Sequence, residues 1–99
     1  MLYAIICDDI TDSLPLRKKA RPAHLACLQQ LQAEGRLVLA GPHPNIDTES
    51  PGEHGFNGSL IVAEFNDLNA AQNWADADPY MTEGIYAHVT VKPFTKVLP

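Results

Sequence analysis

The sequence predicts an α+β fold in which four strands and two helices follow one another as β-α-β-β-α-β. Short apolar runs of strand length occur four times along the 99 residues. Two segments with helical spacing of apolar residues lie between the first and second runs and between the third and fourth. The length and the 45% apolar content are typical of one globular unit, so we expect a single domain over residues 1–99.

The first strand is predicted over residues 2–7, a run rich in β-forming residues. The first helix is predicted over residues 16–34, with Gly35 as its stop. Pro22 either marks the first turn of a shorter helix or kinks a longer one that begins near Leu16, and we favour the longer, kinked helix. The apolar face of this helix carries three leucines at three-residue spacing: Leu25, Leu28 and Leu31.

The second strand is predicted over residues 36–40, with Gly41 and Pro42 ending it. A loop over residues 43–57 follows, and several prolines and glycines lie in or beside it. This loop is long for a small domain, and such loops are usually functional or mobile. Whether it closes over a ligand stays open.

The third strand is predicted over residues 60–65 and the fourth over residues 85–91. Between them, Asn66 or Asp67 caps a second helix. Pro79 ends that helix, because proline disfavours helical geometry in the residue before it. The resulting order predicts a ferredoxin-like plait, a four-stranded antiparallel sheet with both helices on one face.

The strands are apolar on both faces, although the helices of a plait cover only one. Residues 2–6, 37–40 and 60–63 all show this pattern. We therefore expect a homodimer packed through its sheet faces, of the dimeric α/β-barrel type. A monomer is the less favoured alternative, because monomers rarely expose large apolar patches.

Composition limits the partners. The net charge is −5 with only seven Lys and Arg, so we expect no nucleic-acid binding. Four of the seven lie within five positions, and we interpret them as a solvated helix face in preference to a local anion site. They are Arg17, Lys18, Lys19 and Arg21.

The N-terminus predicts neither export nor membrane insertion. Its apolar run is short, lacks a basic lead and is interrupted by Asp8 and Asp9. Cys7 and Cys27 form no CxxC motif, and unpaired thiols are typical of a reducing compartment. We therefore expect a cytoplasmic protein.

His24 and Asp78 are the strongest candidates for chemistry. His24 lies on the apolar face of the first helix, four residues before Leu28, so its ring needs a buried partner. Asp78 follows the second helix on the same side of the predicted sheet, which allows the two to approach. A carboxylate that orients a histidine is a recurring general-base arrangement. Taken separately, a satisfied core histidine and a capping aspartate are the simpler interpretations.

Other site types lack a motif. The four histidines have no metal-ligand spacing, so no metal is expected. Cys27 has no signature of a nucleophile, and no glycine-rich loop leads a helix to bind phosphate.

Six segments in fixed order resemble the YCII-related family, and the resemblance extends from Met1 to Val97. The segments are Arg21-Pro22-Ala23-His24-Leu25, Glu34-Gly35-Arg36-Leu37, Ala40-Gly41-Pro42, Gly55-Phe56-Asn57-Gly58-Ser59, Ala75-Asp76-Ala77-Asp78-Pro79-Tyr80 and Val91-Lys92-Pro93-Phe94.

The resemblance implies a ferredoxin-like fold, a dimer and an active site centred on a histidine and an aspartate, which here are His24 and Asp78. Relatives of the family include a dehydrochlorinase of chlorinated muconate-type compounds. That relative implies proton-transfer or elimination chemistry as a class, without a substrate.

Our first hypothesis is a cofactor-independent lyase or isomerase with His24 as general base and Asp78 as its partner. The expected ligand is a small anionic molecule. Four residues are expected to contact it: Arg21 through its guanidinium, Gly41 and Pro42 as pocket floor, and Tyr80 through its hydroxyl.

Two other hypotheses stay open. One is a non-catalytic dimer that binds a small molecule or a protein partner. The other is a haem-degrading or oxygenating plait, which shares the fold alone. Trp74 is interpreted as a core residue and not as a cofactor contact.

Overall fold

The computed structural model describes residues 1–99 as a four-stranded antiparallel sheet with helices on one face. The strands lie in the order β2-β3-β1-β4, so the predicted ferredoxin-like α+β fold is confirmed. The elements are β1 (Leu2–Asp9), α1 (Leu14–Ala33), β2 (Leu37–Pro44), a single 3-10 turn (Gly52–His54), β3 (Phe56–Glu64), α2 (Leu68–Ala77), α3 (Pro79–Thr82) and β4 (Tyr86–Phe94).

Helix α1 is the longer of the two predicted alternatives and runs through Pro22. It begins two residues earlier than predicted because Pro15 occupies its first turn, where a missing N–H costs nothing. Gly35 ends it with a φ of 70°, and the backbone N–H of Arg36 donates to the carbonyl of Leu31 at 2.9 Å. This glycine-dependent termination confirms the predicted stop.

The edge strands are longer than predicted. Gly41 and Pro42 do not end β2, which continues to Pro44, and β4 continues through Pro93. Both strands lie at the sheet edges, where a proline can direct its missing N–H away from the ladder. Prolines that read as strand stops in the sequence are therefore compatible with edge strands.

The helical segment before β4 is divided by Asp78. Asp67 is the observed cap of α2 and accepts a hydrogen bond from Ala70 N at 2.8 Å. Asp78 is extended, with a ψ of 130°, and it caps a short helix, α3, that the sequence did not predict. Pro79 occupies the first turn of α3 and excludes helical geometry at Asp78.

One core lies between the helices and the sheet. It contains β1 and β3 side chains that alternate toward the helices, and Trp74 is half-buried against it. The principal core side chains are Tyr3, Ile5, Cys7, Leu28, Leu31, Ile61, Ala63, Phe65 and Ile85.

The opposite sheet face is also apolar at its centre. The strand register places Leu39, Val62 and Ala4 in one row across β2, β3 and β1, and Leu60 and Ile6 in the next. Leu39 is 47% exposed. No helix has both the length and the apolar character needed to cross a bilayer.

Burial of Cys7 predicts loss of stability at alkaline pH. Desolvation raises the pKa of its thiol from 9.0 to about 12. The folded state therefore keeps a proton that the unfolded chain releases, so the free energy of unfolding falls as pH rises above 9. The slope from this thiol is at most about 1.4 kcal/mol per pH unit.

Urea unfolding between pH 8 and 10.5 checks this prediction. Cys7→Ala should flatten the decline in the free energy of unfolding, whereas Cys27→Ala, which alters a half-buried thiol, should change it less. Equal slopes in wild type and Cys7→Ala would contradict it.

Candidate active site

The buried face of α1 brings His24 toward the sheet. Five residues at spacings of three and four form this face: Arg17, Ala20, His24, Leu28 and Leu31. His24 is only 7% exposed, so its ring requires partners inside the protein.

Asp78 supplies that partner. The distance between His24 Nδ1 and Asp78 Oδ1 is 2.7 Å, and the aspartate is 2% exposed. The same oxygen accepts the backbone N–H of Tyr80 at 3.0 Å. The approach of these two residues, expected from helices that share one sheet face, is therefore present as a buried pair.

The other ring nitrogen of His24 remains available. A carboxylate only accepts hydrogen bonds, so Nδ1 carries a hydrogen and Nε2 of the neutral ring carries a lone pair. Nε2 has no hydrogen-bond partner within the chain. It is not fully buried, because the hydroxyl of Tyr86 is the only fully buried side-chain polar atom that lacks a partner. Nε2 is therefore accessible from the pocket that His24 lines.

Tyr80 stacks on His24. The two rings are nearly parallel, with centroids 3.8 Å apart and an interplanar angle of 5°. The Tyr80 hydroxyl, expected to face a substrate, instead donates to the backbone carbonyl of Arg17 at 3.3 Å. Burial raises the pKa of this phenol, which stays neutral at physiological pH. Tyr80 therefore presents its ring to the site.

Arg17 is buried, contrary to the prediction of a solvated basic face. Its Nε and Nη2 donate to the two carboxylate oxygens of Asp9 at 2.6 and 3.1 Å. Nη2 also donates to Gly58 O and Ser59 Oγ, both at 2.9 Å. The other three basic residues of the cluster, Lys18, Lys19 and Arg21, are exposed.

The Arg17 guanidinium lies near two aromatic rings. Its Cζ is 5.4 Å from the Phe56 centroid and 5.0 Å from that of Tyr80. Burial acts to lower the pKa of Arg17, but the hydrogen bond and charge of Asp9 outweigh it and raise that pKa. The side chain is thus a permanent cation.

A pocket of about 670 Å³ joins these groups. Such a volume suits a small-molecule ligand. Every predicted site residue except Asp78 lines it, and Asp78 lies behind His24. The predicted residues along its wall are Arg21, His24, Gly41, Pro42 and Tyr80. Residues 50–53, from the predicted loop, also line the pocket.

Sequence reasoning missed Arg17, Asp9 and Phe56. Arg17 had a usable signal, because it lies seven residues before His24 and so shares its helix face. Strand pairing brings Asp9 and Phe56 to the site, and this pairing cannot be predicted from a local sequence pattern. The structure contains no group of three or more His, Cys, Asp or Glu side chains that could hold a metal ion.

Comparisons with known proteins identify close relatives. The model of the YCII-related domain matches residues 1–95. Protein YciI of Escherichia coli O6:H1 is 59% identical over 97 residues, covering 98% of this chain and 99% of that protein. An uncharacterized protein of Haemophilus influenzae is 54% identical over the same shares of both chains.

One solved structure is similar over nearly its whole length. It is 5-chloro-2-hydroxyhydroquinone dehydrochlorinase (TftG) from Burkholderia phenoliruptrix AC1100 in complex with 2,5-dihydroxybenzoquinone. The TM-score is 0.84 with 26% sequence identity, covering 96% of this chain and 94% of that chain.

Two substitutions at Asp78 should separate its hydrogen bonds from its charge. Asp78→Ala removes the acceptor of His24 Nδ1 and the cap of α3, and should lower the free energy of unfolding by about 2–3 kcal/mol. Asp78→Asn keeps an acceptor oxygen and should cost about 1 kcal/mol or less. Urea unfolding at neutral pH measures both. Equal losses would contradict the hydrogen-bond roles assigned to this side chain.

Proposed function

We propose that this chain, which belongs to the YCII-related family, is a small cofactor-independent lyase or isomerase with His24 as general base. The observation that supports the proposal is the difference between the surroundings of the two nitrogens of the His24 ring. Nδ1 is held by a buried carboxylate at 2.7 Å, while Nε2 opens into a pocket of small-molecule size. This arrangement suits a general base, because Nδ1 is held in place while Nε2 can accept a proton from a molecule in the pocket.

In the proposed reaction, His24 Nε2 removes a proton from the substrate. In an elimination, the electron pair left behind forms a new double bond as the leaving group departs with its own bonding pair. Asp78 stabilises the positive charge that the ring gains, and the ring then releases the proton to solvent. The similarity to a dehydrochlorinase supports elimination as the class of reaction.

The pocket supports a small anionic substrate. Lys18 and Arg21 line the pocket and are exposed, so they favour entry of an anion. Gly41 and Pro42 also line the pocket, and their proposed role is to form its floor.

A halide-release assay tests the catalytic role. We expect turnover of 5-chloro-2-hydroxyhydroquinone or a related halogenated hydroxylated ring. His24→Gln should lower the rate by about 100-fold or more, the usual contribution of a general base. His54→Gln, which alters an exposed histidine that does not line the pocket, is the control.

Unchanged turnover in His24→Gln would contradict the base assignment. Binding of the ring without turnover in wild type would instead favour the alternative function, a non-catalytic small-molecule-binding or protein-interaction dimer.

We also propose that the functional form is a homodimer closed through the open sheet faces. The central rows of this face are apolar across β2, β3 and β1. Within one chain Ala4 and Val62 are already buried, whereas Leu39 exposes 47% of its surface and Leu60 is half-buried. A two-fold copy of the same face would cover the part of these rows that one chain leaves exposed. The proposed setting is the cytoplasm, which suits the free thiols of Cys7 and Cys27.

A matched pair of leucine substitutions tests the dimer. Leu39 lies on the open face and Leu68 at the start of α2, and both are 47% exposed. Sedimentation should give twice the 10.8 kDa chain mass for wild type and for Leu68→Glu. Leu39→Glu should shift the protein to monomer because it places a charge in the interface. A monomeric wild type would overturn this proposal.

A further inference from the structure

Arg17 differs from the other basic residues of its cluster in burial and in bonding. Nε and Nη2 are engaged by Asp9, Gly58 and Ser59. Nη1 makes no hydrogen bond within the chain. It is not fully buried, because the hydroxyl of Tyr86 is the only fully buried side-chain polar atom that lacks a partner. Since Arg17 lines the pocket, Nη1 is a donor that is open toward a ligand.

We propose that Arg17 Nη1 binds an oxyanion of the ligand, and that the ligand is a six-membered-ring-sized molecule carrying that oxyanion on an apolar body. This inference deepens the proposed function and rests on it for the role of His24. The shared chemistry is that of a carboxylate or of a phenolate or enolate oxygen, each of which accepts a charge-assisted hydrogen bond from a guanidinium.

Asp9 acts as a positioning residue for this donor. Its side chain is fully buried, and it also accepts Ser13 Oγ at 2.6 Å. The ion pair fixes the guanidinium plane by binding its Nε and Nη2 edge, which leaves the Nη1 side directed elsewhere. The Arg17–Asp9 pair has no net charge, so Arg17 contributes mainly a hydrogen-bond donor of fixed direction. Lys18 and Arg21 contribute unpaired positive charge at the same pocket.

The separation of Arg17 and His24 limits the size of a ligand that contacts both. The Tyr80 ring centroid lies 3.8 Å from the His24 centroid and 5.0 Å from Arg17 Cζ, so the two groups are no farther apart than these distances combined. A substituted six-membered ring can contact both. The remaining wall is largely apolar, and it includes Leu14, Leu25, Leu28, Pro42, Phe56 and Ile61.

Arg17 therefore holds the oxyanion while His24 Nε2 reaches a proton elsewhere on the same ring. If the oxyanion is conjugated with the bond that loses the proton, Arg17 also stabilises the charge that develops there. The anion anchor and the base would then share one helix face, seven residues apart.

The test compares three probes with wild-type protein by calorimetry and by side-chain ¹⁵N NMR. The probes are benzoate for a carboxylate, 2,5-dihydroxybenzoquinone for an enolate, and benzamide as a neutral match to benzoate. We expect at least one anion to bind at least tenfold more tightly than benzamide and to shift the Arg17 guanidinium resonances. The tighter of the two anions identifies which oxyanion the site accepts.

Variants then assign the donor. Arg17→Lys should weaken anion binding tenfold or more, whereas Lys19→Gln, which removes a charge from the same helix outside the pocket, should change it less than threefold. Arg17→Lys disturbs a buried ion pair, so the wild-type resonances decide the matter if that variant does not fold.

The proposal is overturned if benzamide binds as tightly as both anions, if no probe binds, or if the anion leaves the Arg17 resonances unmoved. These failures are distinct from failure of the general base. Turnover that depends on His24 with no preference for anions removes only the Arg17 anchor, and anion binding at Arg17 without turnover removes only the catalysis.

Discussion

The hydrogen bond between His24 Nδ1 and Asp78 Oδ1 is the contact on which the site depends. Both side chains are buried. Without Asp78, the Nδ1–H of His24 would have no acceptor, and without His24 the Asp78 carboxylate would keep only the backbone N–H of Tyr80. Its geometry begins in the chain itself, because Pro79 forces Asp78 out of helical geometry and thereby separates α2 from α3. The extended residue directs its carboxylate to α1, and one oxygen serves both the imidazole and the backbone of Tyr80.

A second buried pair, Arg17 with Asp9, also lies close to Tyr80. The ring of Tyr80 packs against His24 and lies near the Arg17 guanidinium, so the two polar pairs border one pocket through a shared aromatic residue. Close pairing of β1 and β3 supports this arrangement. A Cβ at Gly58 would collide with the carbonyl oxygen of Cys7, so glycine is required where the Arg17 side chain meets the sheet.

The sequence was informative wherever a local pattern carried the signal. The β-α-β-β-α-β order, the stop at Gly35 and the buried face of His24 follow from periodicity and from residue conformational preferences. Strand lengths were wrong at Pro42 and Pro93, because edge position is a property of the sheet and not of the segment. Arg17 was misread because a run of basic residues obscured its place on the apolar face, and its partner Asp9 lies on a different element. Asp78 was proposed as the partner of His24 from its place after the second helix on the same side of the predicted sheet, and the resemblance to a family pointed to the same residue.

In the proposed function, Asp78 fixes the ring of His24 so that Nε2 faces the pocket as a base. The most direct measurement is ¹⁵N NMR of the His24 ring in wild-type protein, at a pH where the ring is neutral. We expect a hydrogen on Nδ1 and an unprotonated Nε2, and we expect Asp78→Ala to lose that preference. A ring that carries its hydrogen on Nε2, or one that keeps the same tautomer without Asp78, would contradict it.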